Sequence, residues 1–265
     1  MKNKYYISVD LEGVACAVGA YGKGMSADNP NYRFAAEQAT KEANAAAKAL
    51  FDSGASDVII WDSHGTGVNL DYYALDKRCS IALGSGSRKR FPGIDDSFEG
   101  VLFIGAHAFD SENATLAHTY SSNTFTQIKI NGCPVGEIQI DAAAAGKYSV
   151  KTMFVSADDV CVKQAAETFP WAETVETKKA LSWNSSISKH PLKVCDEIYE
   201  SVCRAVKNSD KMKPYTINMP CELTLSYKRI EYAEGCTLRN PDNTPFAFEN
   251  AYTRKGIIND IEDMF

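Results

Sequence analysis

The sequence predicts an α/β protein, with a mostly parallel central sheet, flanking helices, and a small C-terminal β/α extension. Three observations predict it. Short runs of β-branched and aromatic residues read as buried strands: Tyr5-Tyr6-Ile7-Ser8-Val9, Asp57-Val58-Ile59-Ile60-Trp61 and Gly100-Val101-Leu102-Phe103-Ile104. A stretch rich in Ala, Glu and Lys separates the first two, and these are good helix formers. Each run then ends in a polar group able to bind a ligand, as strands of doubly wound sheets do at their carboxyl ends.

In order, the first strand leads into Asp10-Leu11-Glu12-Gly13 and a Gly-rich loop. A helix is expected over 31–51, with Gly54 as its C-cap glycine. The second strand ends in Asp62-Ser63-His64-Gly65, so strand, helix and strand form a right-handed crossover with parallel strands. A short helix over 72–75 and a strand over 80–83 precede the third strong strand, which ends in Gly105-Ala106-His107-Ala108. A polar loop carrying His118 follows. Asn131-Gly132 then marks a hairpin between strands at 126–130 and 135–140, with Glu137 on the return strand. Asp141 begins an Ala-rich helix, 150–155 is a strand, and Ser156 with Asp159 resembles a capping box for the next helix. A strand over 175–179 precedes a helix opened by Pro191 with His190 at its cap. The proline-bearing piece 211–220 suggests a division into a metal-binding catalytic α/β domain, 1–215, and a β/α segment, 216–265. Strands near 222–227 and 246–248 and a helix over 251–264 are too little for a core of their own, so this segment is expected to pack on the main domain or a neighbouring subunit.

Composition narrows the function classes. The 265 residues are 45% hydrophobic and 23% charged, with a net charge of −6. That balance offers no electrostatic footprint for nucleic acid or an anionic membrane; the one basic cluster is Arg88-Lys89-Arg90. No apolar run reaches the roughly 18 residues that span a bilayer, and no signal-peptide core follows Met1. Eight cysteines form no Cys-x-x-Cys pair, which fits reduced thiols and a cytoplasmic setting.

The chemistry gathers at the strand ends. Asp10 and Glu12 are two residues apart, so on extended chain they share a face, and a cation between them relieves their repulsion. Two of the four histidines, His64 and His107, occupy equivalent strand ends. With Glu137 they make five nitrogen and oxygen ligands, more than one tetrahedral zinc needs. Five suit two metals about 3.5–4 Å apart that share a carboxylate, with Asp10 the natural bridge. Such a pair activates water and polarises a carbonyl, which is hydrolytic chemistry. Imidazole and carboxylate without thiolate favour zinc, with manganese or cobalt also compatible. Asp62 is placed to hold the second nitrogen of His64, and His118 to move a proton or stabilise an oxyanion.

These residues resemble a known family. Ser8-Val9-Asp10-Leu11-Glu12-Gly13, Asp62-Ser63-His64, Gly105-Ala106-His107-Ala108, Ala117-His118-Thr119 and Pro134-Val135-Gly136-Glu137 are similar, in order, to motifs of the D-aminopeptidase (DppA-like) family of dinuclear zinc metallopeptidases. The resemblance implies two Zn2+ per subunit on Asp10, Glu12, His64, His107 and Glu137, and a catalytic role for His118, which the family describes as a nucleophile. It implies hydrolysis of short peptides with an N-terminal D-amino acid, such as D-Ala-D-Ala, by a large ring-like homo-oligomer, a decamer. Residues 14–17 and 109–115 depart from the pattern and are expected to line the substrate pocket, so the preference for D-residues rests on the resemblance alone. A metallo-amidase or phosphoesterase on the same scaffold is the alternative, with residues 84–90 as a phosphate cradle. A non-catalytic metal-binding ring protein is a third reading.

Overall fold

We describe a computed structural model covering residues 2–87, 89–111 and 113–265; of the basic cluster, Arg88 lies outside the described residues. The strands β1 (Lys4–Val9), β2 (Asp57–Asp62), β3 (Ser80–Ala82) and β4 (Phe98–Ala106) follow the predicted pattern, with α1 (Tyr32–Asp52) crossing between β1 and β2. Next come β5 (Phe125–Ile130), β6 (Cys133–Pro134), α2 (Glu137–Gly146), β7 (Lys151–Asp158), α3 (Asp159–Thr168), β8 (Glu173–Ser182), β9 (Ser185–Ser188) and α4 (Pro191–Lys207). The chain finishes with β10 (Cys221–Tyr227), α5 (Ile230–Glu234), β11 (Ala247–Asn250), β12 (Thr253–Ile258) and a helical turn at Ile261–Met264.

The main sheet has the order β3-β2-β1-β4-β7-β8-β9 and is parallel except for β9. Both of its faces are covered, which is why β1 reads as a continuous apolar run. Tyr5, Ile7 and Val9 face the alanines of α1 and Val194, Ile198 and Val202 of α4. Tyr6, on the other face, packs with Trp61, Phe91, Phe103, Ala142 and Ala165. A second, antiparallel sheet has the order β11-β12-β10-β5-β6, so residues 221–258 share hydrogen bonds with the hairpin at 125–134.

Several local expectations are corrected. The hairpin's return strand stops at Pro134, and Glu137 opens α2 instead. Helix α2 is wedged between the sheets: Ile138, Ala142 and Ala145 face the first core, and Ile140, Ala143 and Ala144 the second. Residues 251–264 are β12 plus the helical turn, not one helix. Asp158, not Ser156, caps α3, accepting from the Cys161 amide at 2.8 Å. Residues 72–75 form turns rather than a helix. His190 caps α4 as expected, its Nδ1 accepting from the Leu192 amide. All eight cysteines are free thiols. Among the described residues no helix is long and apolar enough to cross a membrane.

Candidate active site

Three adjacent parallel strands, β2, β1 and β4, deliver His64, Asp10 with Glu12, and His107 to one edge of the sheet. Two glycines let the ends of β1 and β4 meet. The Gly13 amide bonds the Gly105 carbonyl at 2.7 Å, and the Asp10 amide bonds that of Ile104 at 2.8 Å. A Cβ on Gly13 would fall 1.8 Å from the Ala106 oxygen; one on Gly105, where φ is +69°, would fall 2.3 Å from the Asp10 oxygen. Glu137 arrives from the first turn of α2, where a carboxylate also suits the helix dipole. His118 comes from the loop after β4, its amide bonded to the Ala108 carbonyl at 3.1 Å.

The structure brings all six together. Asp10 lies in the middle, with Oδ1 2.9 Å from His64 Nδ1 and Oδ2 3.4 Å from His107 Nε2. Glu12 Oε2 is 3.1 Å from His64 Nδ1 yet accepts no aligned hydrogen bond, although it is buried. Glu137 Oε1 is 3.1 Å from His107 Nε2 and 3.8 Å from His118 Nε2. The rings of His107 and His118 stack 4.1 Å apart and 8° from parallel. Every imidazole has its other nitrogen within reach of a backbone carbonyl: His64 Nε2 with Met25 at 3.0 Å, His107 Nδ1 with Ala108 at 3.2 Å, His118 Nδ1 with Leu116 at 2.7 Å. Donation there orients each ring so that its other nitrogen faces the carboxylates.

Electrostatics tell the same story. Burial opposes charge at Asp10, but the hydrogen bond from His64 and the charges of His64 and His107 outweigh it and hold the carboxyl far below its usual range. Burial likewise works against His107, yet Glu137 and Asp10 push it up to about 10. His64 is raised by Glu12 and Asp10 against the same desolvation. Three converging carboxylates therefore demand positive charge between them. Protons on imidazole meet that demand, and so does a metal cation. The oxygen and nitrogen donors, with an unpartnered buried oxygen on Glu12, fit zinc. In each of two groups, His107 with His118 and Glu137, and Asp10 with Glu12 and His107, the ligand atoms all lie within 4.8 Å of one another. The site opens on a cavity of 460 Å3 walled also by Met25, Tyr32, Asn69 and Trp183.

Other sequence expectations fail here. The Asp62 carboxylate does not touch His64. It accepts from the Asn69 amide, the Asn69 side chain, the Leu70 amide and Tyr72 Oη, at 2.5 to 3.1 Å. Asn69 in turn donates to the His64 carbonyl at 2.6 Å, so Asp62 braces the loop and not the ring. Residues 14–17 lie behind Glu12, with Val14, Ala15 and Ala17 fully buried, and do not line the cavity. Arg90 has turned inward to a two-point pair with Asp141, at 2.8 and 2.7 Å, so its guanidinium is not offered to the glycine loop. Sequence reasoning missed a support for Glu137: the Tyr120 amide donates to Oε1 at 2.6 Å, and Tyr120 Oη donates to Asp141 at 3.0 Å. Asp141 is four residues beyond Glu137, one turn along the same helix face, a signal visible only once 137 is placed in a helix.

A parallel sheet whose carboxyl edge gathers three carboxylates and three histidines presents the donor set of a metallohydrolase. Comparison with known proteins narrows this. The peptidase M55 family model, described as D-aminopeptidase, matches residues 3–241. D-aminopeptidase of Bacillus subtilis (strain 168) is 31% identical over 238 residues, covering 89% of this chain and 85% of the relative. The solved structure of Zn-dependent D-aminopeptidase DppA from Bacillus subtilis, described as a self-compartmentalizing protease, superposes with a TM-score of 0.86 at 28% identity, covering 98% of this chain and 93% of that one. This chain belongs to the D-aminopeptidase family and is a metallo-aminopeptidase.

Proposed function

We propose that the protein hydrolyses short peptides bearing an N-terminal D-amino acid, such as D-Ala-D-Ala, with two zinc ions held by Asp10, Glu12, His64, His107 and Glu137. The observation that carries this is the position of Asp10, one oxygen turned to His64 and the other to His107. That carboxylate would be shared between one ion held with Glu12 and His64 and another held with His107 and Glu137. Three carboxylates would offset most of the charge of two bound dications. When bound, zinc lowers the pKa of water and polarises the scissile carbonyl. The chain's own groups do the rest. Asp10, Glu12 and Glu137 keep the site anionic, and the backbone carbonyls behind the histidines hold each ring in place. His118, 3.8 Å from Glu137 and facing the cavity, passes a proton to the leaving amine or steadies the oxyanion. It is the zinc-dependent relative that supports zinc here, and the family that supports D-residues.

We further propose a large ring-like homo-oligomer, a decamer by resemblance, working in the cytoplasm. The self-compartmentalizing relative supports the assembly, and the β8–β9 hairpin exposes Leu181 and Ile187, apolar surface of the kind subunit contacts cover. The unpaired cysteines support a reducing compartment.

One preparation tests the reading. Zinc per subunit is measured by elemental analysis, solution mass by light scattering, and amine release from D-Ala-D-Ala beside L-Ala-L-Ala and a phosphoester. We expect two zinc ions, a mass many times the 29.0 kDa subunit, and hydrolysis of the D-peptide alone. Preferential cleavage of the phosphoester would replace the peptidase reading with the phosphoesterase one.

A further inference from the structure

Behind the metal-facing side of Glu12 lies a lysine that the reaction does not touch. Lys178, on β8, is 1% exposed. An ammonium has three N–H donors, and here all three are used on one loop: Nζ donates to the carbonyls of Glu12 at 2.5 Å, Val14 at 3.0 Å and Ala17 at 2.7 Å. Strand β8 stands three places from β1 in the sheet, so this is a long reach made for that loop. Its neighbour Thr177 donates to the Gly13 carbonyl at 2.5 Å. The loop's amides are caught from other sides, Ala15 by Glu42 at 2.9 Å and Cys16 by the Ser188 hydroxyl at 2.8 Å.

Residues 12–17 are thus buried backbone without a strand partner, and side chains supply the hydrogen bonds that buried carbonyls require. A neutral donor could serve one carbonyl. The ammonium serves three at once, and each bond is of the stronger, charge-assisted kind. The Glu12 carboxylate extends from this loop into the site, with Oε2 buried and unpartnered. Glu12 extends from this loop, and Lys178 is the side chain that holds three of the loop's carbonyls at once.

We propose that Lys178 is a positioning residue for the zinc site: by gripping the carbonyls of Glu12, Val14 and Ala17 it fixes where the Glu12 carboxylate meets the metal. This rests on the metal-binding reading given above. The test measures zinc affinity of the full-length protein in zinc-buffered solutions, with apo-protein thermal unfolding recorded in parallel. Lys178→Met fills the same volume without donors. Thr177→Val, which removes the adjacent bond to Gly13, is the structural control. We expect Lys178→Met to bind zinc at least ~10-fold more weakly, as groups supporting a ligand typically cause, with peptide hydrolysis recovered at saturating zinc. Thr177→Val, which removes one bond to the same loop, should weaken zinc binding clearly less than Lys178→Met does. Unchanged affinity in Lys178→Met, with only a lower unfolding temperature, overturns the assignment. If Lys178→Met does not fold, Lys178→Gln, which keeps two donors and loses the charge, takes its place; failure of both to fold shows that the lysine holds the fold rather than the ligand, and also overturns it. Absence of zinc binding in the wild type would instead overturn the metal-site reading itself.

Discussion

His118 and His107 stack almost in parallel, but they stand differently to the carboxylates. His107 Nε2 is 3.1 Å from Glu137, whereas His118 Nε2 is 3.8 Å away and has no second carboxylate nearby. We therefore assign His118 to proton transfer rather than to the proposed zinc pair, although its ring nitrogen lies in one cluster with His107 and Glu137. We predict that His118→Ala retains both metals by elemental analysis and loses at least ~100-fold in kcat, the usual cost of removing a general acid or base. Loss of zinc in that variant would make His118 a ligand, and full activity would remove it from the chemistry. At this scale the clustering of these side chains was legible because each residue type sits beside a strong strand or a glycine. Supports were not. Asp62 precedes His64 by two residues and sits on the same strand face, yet four closer donors claim its carboxylate. Lys178 stands in Val175-Glu176-Thr177-Lys178-Lys179, where nothing in the pattern marks one lysine as fully buried.

Elements set where these residues stand, and the ends of β1 and β4 meet in a close joint. Gly105 has φ +69°, a conformation that costs a residue with a side chain roughly 1–2 kcal/mol. Its Cβ would also overlap the Asp10 oxygen at 2.3 Å and a methyl of Val14 at 2.7 Å, and overpacking adds roughly 1–3 kcal/mol. Gly105→Ala should thus lower stability by about 3 kcal/mol in urea unfolding, and should weaken zinc binding because Asp10 is what moves. A variant within about 1 kcal/mol of wild type would show that the two strand ends do not need this contact. Parallel strands and α1 were readable because each is buried in the way its pattern says. Helix α2 was not. It is buried on two opposite sides, so its apolar residues surround it and the 3.6-residue period disappears. Glu137-Ile138-Gln139-Ile140 alternates instead, and alternation is the signature of a strand. The error cost the element and spared the residue, since Glu137 reaches the site from either.

Of the buried acids outside the site, Glu42 ties global stability to pH. Glu42, on α1, is fully buried beneath the loop that bears Glu12. Burial pushes its carboxyl up to about 7, against hydrogen bonds from Gln38 and Ala15 and the charge of Lys178, which favour ionisation. Oε2 has no partner at all, so an ionised Glu42 leaves charge unanswered. In the unfolded chain the same carboxyl titrates near 4.5. The folded state therefore holds its proton over a window where the unfolded state has released it. Its contribution is complete below about 4.5, declines as pH rises through the window, and is gone above about 7. A shift of this size corresponds to about 3 kcal/mol. Glu42→Gln keeps an acceptor for the Ala15 amide and cannot ionise. Thermal unfolding of both proteins across pH 4.5–7 should show the wild type losing stability relative to the variant as pH rises, so that Glu42→Gln is the more stable protein at neutral pH. A constant difference between the two curves would mean that Glu42 is ionised in the folded protein throughout, with Lys178 answering its charge.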